Sequence, residues 1–180
     1  MMKDWNQIVD KNWTLFLDRD GVINKRIVDG YVTCWEEFEF LPGVLDAMKV
    51  FSKRFKYIVL VTNQQGVGKG LMSEDDLDAV HDAMMQEIEA HEGRIDVLLS
   101  CTQLASDPDN FRKPKPDMAF MAQEIFPDID FSKSLMIGDG QSDIDFGRNA
   151  GMHTVFIGNE NSGADDSFSS LFEFSKLLNL

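Results

Sequence analysis

Five short stretches of the chain are almost continuously apolar and rich in β-branched residues: 13–17, 57–61, 95–99, 134–137 and 154–157. Runs of that length, apolar at every position instead of every second one, predict strands buried on both faces. Between them the apolar residues return every third or fourth position, as in Val44, Leu45, Met48, Val50 and Phe51, then Leu77, Val80, Met84 and Ile88, then Met118, Phe120, Met121 and Ile125. That period predicts helices, and strands alternating with helices predict a parallel sheet. Local signals agree. Ser73 ahead of Glu74, Asp75 and Asp76 is an N-cap with acids at the positive end of a helix, Pro42 and Pro116 suit helix starts, and Gly93 and Pro127 suit helix stops. The expected architecture is α/β, a single Rossmann-like three-layer domain over residues 1–180 with a central parallel sheet and a motif-bearing core at about 13–157. The Gly/Ser/Asp-rich stretch 159–170 reads as a loose loop before a final helix at 171–178.

Composition narrows the possibilities. A chain of 180 residues that is 43% hydrophobic and 11% aromatic fills one core and is too short for two ordinary domains. Its 17 basic and 31 acidic side chains leave a formal net charge of −14, which removes any whole-surface attraction to nucleic acid or an anionic membrane. A basic substrate patch has to be local. No apolar run reaches the ~20 residues of a membrane-spanning helix, and residues 1–11 lack the basic start and apolar run of a signal peptide. Cys34 and Cys101 stand far apart without CxxC-type neighbours, so the spacing encodes neither a disulfide framework nor a structural zinc site. The expectation is a cytoplasmic protein without nucleic-acid or membrane partners, of undetermined oligomeric state.

In an open parallel sheet, ligands bind beyond the carboxyl ends of the strands. The first predicted strand runs into Leu17-Asp18-Arg19-Asp20-Gly21, two carboxylates one residue apart with a glycine to turn the chain. The second runs into Thr62-Asn63-Gln64, a hydroxyl and two amides able to bind phosphoryl oxygens. Arg112-Lys113-Pro114-Lys115-Pro116 adds fixed positive charge on a stiff loop. The fourth strand runs into Gly138-Asp139-Gly140-Gln141-Ser142-Asp143, with Asp143 expected on the first turn of the next helix. Four acids converging on one cleft repel unless a cation neutralises them, and an all-oxygen set of this kind suits Mg2+ beside a phosphate.

The set resembles the haloacid dehalogenase (HAD) superfamily of phosphatases, with Asp18 and Asp20 as its first motif, Thr62 as its second, Lys113 as its third, and Asp139 and Asp143 as its fourth. Within that superfamily Gly30-Tyr31-Val32 with Phe38-Glu39-Phe40, Thr62-Asn63-Gln64-Gln65-Gly66 and Arg112-Lys113-Pro114 resemble the branch of heptose bisphosphate and histidinol-phosphate phosphatases, over most of residues 13–157. The resemblance implies that Asp18 is the nucleophile, forming an aspartyl-phosphate, and that Asp20 is the acid/base. It implies Mg2+ held by Asp18, Asp139 and the Asp20 carbonyl with Asp143 in support, phosphoryl contacts from Thr62 and Lys113, and further substrate contacts from Asn63, Gln64 and Arg112. The implied substrate is a small phosphorylated metabolite, a sugar phosphate such as D-glycero-D-manno-heptose 1,7-bisphosphate first and histidinol phosphate second. The intervals between motifs leave no room for a large cap domain.

Two departures stand out. Many members of that branch carry a zinc loop of Cys and His ligands before the Arg-Lys pair, whereas Cys101 is followed by Thr102, Gln103 and Leu104 with no second cysteine before Arg112, so no zinc is expected. Many also carry a basic residue where this chain has Gly140. The rival functional class is a non-catalytic phospho-receiver or binding module on a similar sheet, which has no need of Asp20; a phosphotransferase would use the same residues. Gly66-Val67-Gly68-Lys69-Gly70 is not a P-loop, since Lys69 lacks a following Ser or Thr. His81, His91 and His153 show no ligand spacing and read as surface or packing residues, as Trp13 and Trp35 read as packing.

Overall fold

The structure, a computed structural model, describes residues 3–159 and 163–178. Six strands, β1 (Thr14–Leu17), β2 (Tyr57–Asn63), β3 (Val97–Cys101), β4 (Ser134–Gly138), β5 (His153–Ile157) and β6 (Asp166–Phe168), form one sheet in the order β3-β2-β1-β4-β5-β6. Every pairing is parallel. The helices are α1 (Trp5–Ile8), α2 (Val44–Arg54), α3 (Gln65–Gly68), α4 (Glu74–Ala90), α5 (Asp117–Ile125), α6 (Gln141–Ala150) and α7 (Leu171–Leu177).

The continuous apolar runs form buried strands because helices cover both faces. Leu15, Leu17, Ile58, Leu60, Leu135 and Ile137 point into a core shared with Val44, Met48 and Phe51 of α2, Met84 and Ile88 of α4, and Leu171 and Phe174 of α7. Their neighbours in sequence, Phe16, Val59, Val61 and Met136, face the opposite core with Met118 and Ala122 of α5 and Phe146 of α6. Layers of helix, sheet and helix result, and no inserted cap domain interrupts them among the described residues. The capping signals are used as expected: the Ser73 hydroxyl accepts from the Asp76 amide at 3.1 Å while the Asp76 carboxylate accepts from the Ser73 amide at 2.9 Å.

Two expectations change. On α5 only Met118, Ala119 and Ala122 are buried, while Phe120, Met121 and Ile125 are exposed, because the helix is short and lies along the sheet with one narrow stripe. The 159–170 stretch contains the edge strand β6, whose Asp-Ser-Phe sequence has no apolar run to announce it; residues 160–162 lie outside the described set. Trp5 holds that strand in place. Its indole is fully buried, its Nε1 donates to Asp166 Oδ2 at 2.8 Å, and its ring meets His153 and Phe174 edge-on. Lys3 adds a backbone bond to the same carboxylate at 2.9 Å. Among the described residues no helix is long and apolar enough to cross a membrane.

Removing the Trp5 ring should therefore cost about 3–5 kcal/mol, the ordinary loss for a fully buried aromatic. Urea denaturation of Trp5→Ala checks this, and a loss below about 1 kcal/mol, the size of an ordinary surface change, would show that α1 is dispensable.

Candidate active site

The chain crosses from one half of the sheet to the other between β1 and β4, the switch point where strand loops diverge and leave a crevice. Asp18 extends the β1 ladder by one residue, its amide donating to the Ile137 carbonyl at 3.0 Å. Its carboxyl sits on the crevice floor with 8% of the side chain exposed. The backbone then turns sharply as the Arg19 carbonyl accepts from the Val22, Ile23 and Asn24 amides. Gly21 makes this possible twice over: its φ is +88°, and a Cβ there would lie 1.9 Å from Asp139 Oδ2.

Lys113 reaches the floor from the loop after β3. Its ammonium lies 2.7 Å from Asp18 Oδ1, 2.6 Å from Asp143 Oδ1 and 2.8 Å from the Val61 carbonyl, with 3% of the residue exposed. Three donors thus meet three acceptors. Asp143, on the first turn of α6 as expected, spends its other oxygen on the Gly140 amide at 3.0 Å. Gly138 lets it come so close, since a Cβ there would lie 2.1 Å from the Asp143 Cβ. Burial alone would weaken the Lys113 ammonium, but the Asp143 and Asp18 carboxylates outweigh it and hold its pKa above the ordinary value. Asp18 moves the other way: burial and then Asp143 push it up to about 7, against the pull of Lys113. Burial likewise pushes Asp139 up to about 6, opposed by Arg26.

Asp20 stands on the crevice wall, tied at every lone pair. Arg19 Nη2 donates to both of its oxygens at 3.0 and 3.1 Å, Asn24 Nδ2 to Oδ1 at 2.9 Å and Gln64 Nε2 to Oδ2 at 2.7 Å. Burial pushes this carboxyl up, yet the Arg19 charge and the hydrogen bonds together hold it below its ordinary value. Arg19 itself is fully buried and meets His81 Nε2 at 3.0 Å through Nη1. Burial pushes His81 down to about 3.

Thr62 is buried behind Asp18, its hydroxyl accepting from Gln64 Nε2 at 2.9 Å. Gln64 departs from its expected part: it is fully buried, and its amide is spent on Asp20 and Thr62 rather than aimed into the crevice. It can act on a ligand only through those two. Asn63 braces the Lys113 backbone with two hydrogen bonds, 3.1 Å to the carbonyl and 3.0 Å from the amide, and also lines the crevice. Arg112 lines it too, its guanidinium anchored on Gln65 Oε1 at 3.0 Å. The loop carrying Arg112 and Lys113 is held by hydrogen bonds: Gln103 Oε1 accepts from the Phe111 amide, Asp107 from the Leu104 amide, and Asn110 is bonded to Ala105, Asp107, Arg112 and Lys115.

The cleft above this floor has a volume of about 480 Å³. Sequence reasoning missed several residues around it. Arg26, Lys69 and Tyr31 form the rim, and Lys69 Nζ sits 5.3 Å from the Tyr31 ring centroid. His81 carried a readable signal, because it falls four residues after Leu77 and three before Met84 on the buried stripe of α4, where an ionisable group needs a partner. Arg19 had none beyond its place between two acids.

The donor set fits a hard divalent cation. Asp18, Asp139 and Asp143 offer oxygens within 4.8 Å of one another, the one such cluster of three or more ligating side chains among the described residues. Two of the three have their pKa values pushed toward neutrality by burial and mutual repulsion, as expected where a positive charge is wanting. Arg26 supplies one from the rim: a guanidinium nitrogen lies 2.7 Å from Asp139 Oδ1, 3.3 Å from the Asp20 carbonyl oxygen and 4.0 Å from Asp18 Oδ2.

Known proteins share this arrangement. A family described as HAD-hydrolase-like matches residues 110–171. A D-glycero-alpha-D-manno-heptose-1,7-bisphosphate 7-phosphatase of Mycobacterium bovis is 40% identical over 170 residues, covering 91% of this chain and 90% of the relative. One from Campylobacter jejuni is 36% identical, covering 94% and 95%. The crystal structure of a D,D-heptose 1,7-bisphosphate phosphatase from B. bronchiseptica, complexed with magnesium and phosphate, superposes with a TM-score of 0.84 at 26% identity, covering 92% of this chain and 97% of that one. With its motif residues gathered at one switch point and relatives matched over nearly its whole length, the chain belongs to the haloacid dehalogenase-like phosphatases, in the branch of the heptose bisphosphate phosphatases.

Proposed function

We propose that the protein is a Mg2+-dependent phosphomonoester hydrolase that works through an aspartyl-phosphate on Asp18 and acts on a sugar bisphosphate, with D-glycero-D-manno-heptose 1,7-bisphosphate as the substrate. The observation that carries the chemistry is Asp18 at the floor of the switch-point crevice, between Lys113 on one side and Asp139 on the other. Asp18, Asp139 and the Asp20 carbonyl would hold the cation, Asp143 supporting them; bound there, it supplies Lewis acidity and neutralises charge between the nucleophile and an anionic substrate.

In this reading an Asp18 oxygen attacks phosphorus while the bond to the ester oxygen breaks, and a proton passes from Asp20 to that departing oxygen. A phosphoryl dianion beside Asp20 raises its pKa and favours the protonated form. Asp20 then takes a proton from the water that attacks the acyl phosphate, and Asp18 leaves as a carboxylate. Lys113, its donors committed to Asp18, Asp143 and Val61, contributes fixed positive charge, and the Thr62 hydroxyl retains a proton to donate to a phosphoryl oxygen.

The substrate class rests on the far wall. Lys69 and Arg112 face the cleft there without any carboxylate partner among the described residues, in a protein of net charge −14. Gln65 ties the two sides of this wall together, donating to the Tyr31 hydroxyl at 3.3 Å and accepting from Arg112. Two cations there suit a second phosphate, which the names of the relatives include. They disfavour histidinol phosphate, whose amine would meet like charge. The cleft lacks a cap, which suits a small diffusible metabolite met in the cytoplasm, without nucleic-acid or membrane partners.

Three outcomes test this reading. Asp18→Asn should abolish phosphate release while keeping a cooperative thermal transition, and full activity in that variant would end the mechanism. Lys69→Met and Arg112→Met should each raise KM for a sugar bisphosphate about 10-fold or more, the worth of one charge-assisted hydrogen bond, and leave KM for a sugar monophosphate nearly unchanged. Equal effects on both substrates would remove the second-phosphate site. The third concerns the metal. Asp18 and Asp139 keep their protons to about pH 7 and 6 in the folded state against 3.8 as the ordinary value, so metal-free protein loses stability as pH rises through that window. Mg2+ should therefore raise Tm more at about pH 8 than at about pH 5, with EDTA as the reference. An increment equal at both pH values would place the cation elsewhere.

A further inference from the structure

The buried contact between Arg19 and His81 is not used by the reaction as written, and it is costly to build. A guanidinium with no exposed surface must recover several kcal/mol of lost hydration through its partners. Its one carboxylate partner is Asp20, gripped by a single nitrogen that reaches both oxygens. The other terminal nitrogen is taken up by His81 Nε2 at 3.0 Å, and Nε has no partner. A guanidinium offers only donors, so His81 Nε2 must be an unprotonated acceptor and its proton must lie on Nδ1. Burial favours the same neutral state. His81 stands on the fifth turn-stripe position of a seventeen-residue helix whose start is fixed by the Ser73 capping box, which makes it a rigid post.

We propose that His81 is a positioning residue for the acid/base: by accepting from Arg19 it fixes the angle of the guanidinium, and the guanidinium fixes the direction in which the Asp20 carboxyl faces the ester oxygen of the substrate. This rests on the reading of Asp20 as acid/base given above. The chain of contacts explains why an ionisable residue occupies the buried stripe of α4, where a leucine would pack at no desolvation cost. It also explains the asymmetry between the two acids of the first motif. Asp18 is held by a single ammonium and stays free to attack, whereas Asp20 is clamped by three side chains, Arg19, Asn24 and Gln64, two of which are themselves fully buried and the third likewise. A clamp of that kind serves a group that must transfer a proton along one line, since a misplacement of about 1 Å can cost on the order of 100-fold in rate.

The experiment compares leaving groups. An alkyl phosphate needs a proton on its departing oxygen and a p-nitrophenyl phosphate does not, so loss of acid alignment shows in kcat/KM for the first and much less for the second. His81→Met keeps helix propensity and bulk but removes the acceptor. It should lower kcat/KM for the alkyl substrate about 10- to 100-fold, the range of a misaligned acid, and for the aryl substrate several-fold less. His81→Gln, whose side-chain oxygen can accept from Arg19, should recover most of the loss. Mg2+ affinity measured by calorimetry should stay unchanged in both variants. Parallel losses on the two substrates, or no loss on either, would overturn the proposal, and Arg19→Met assayed the same way decides the matter if His81→Met does not fold. Asp20→Asn separates the two levels: if it lacks the alkyl-to-aryl contrast, the acid/base reading itself fails, and if it shows the contrast while His81→Met does not, only the positioning role fails.

Discussion

One ammonium group between two carboxylates sets the terms for the rest of this molecule. Lys113 is surrounded by Asp18, Asp143 and the Val61 carbonyl with almost no water, and breaking such a buried set by removing one partner costs about 3–5 kcal/mol. Its position therefore fixes the β3 loop, the first turn of α6 and the end of β1 with respect to one another. The charge balance follows from the same contact. Four carboxylates, Asp18, Asp20, Asp139 and Asp143, are met by Lys113, Arg19 and, from the rim, Arg26. The surplus of negative charge falls on Asp18 and Asp139, the two whose protons are held toward neutral pH, and that is where a divalent cation brings the greatest relief.

The sheet makes this crowding possible. Parallel strands deliver their carboxyl ends to one edge, and the β1/β4 divergence opens a crevice wide enough for charged groups from four loops. Two glycines set how close the groups come. Gly21 leaves room for Asp139, and Gly138 leaves room for Asp143. A side chain at either would push an acid away from the cation it serves.

What the sequence disclosed and what it withheld divide along a physical line. The five apolar strands, the amphipathic helices and the motif residues Asp18, Asp20, Thr62, Lys113, Asp139 and Asp143 were legible because burial leaves a periodic trace and because chemistry at a strand end has few substitutes. Strand β6 was not, since three residues at an edge, held from outside by Trp5 and Lys3, need no apolar run of their own. Nor was the exposed face of α5, where apolar spacing at Phe120, Met121 and Ile125 suggested a wider buried stripe than a nine-residue helix has. Gln64 was legible as a site residue and misleading in direction: its place in the motif is clear from sequence, but whether an amide at a strand end turns outward or back toward Asp20 depends on partners some forty residues away. His81 and Arg19 illustrate the same limit, since a polar pair joined across 62 positions has no period.

The tie between Trp5 and Asp166 bears on the order in which the chain can assemble. Residues near the two described ends share one core, with Trp5 and Val9 packed beside Leu171, Phe174 and Leu178. During synthesis the groups from Asp18 to Asp143 are already outside the ribosome when β6 and α7 have yet to emerge. The exposed edge of β5 must wait, unpaired, for the final segment to arrive, and a waiting parallel edge is open to association with other chains. The indole of Trp5, present from the beginning, covers apolar surface next to that edge in the interval. An early residue thus acts as the seat on which the last strand lands, and closure of the sheet is a contact between the first and the last parts of the chain to be made.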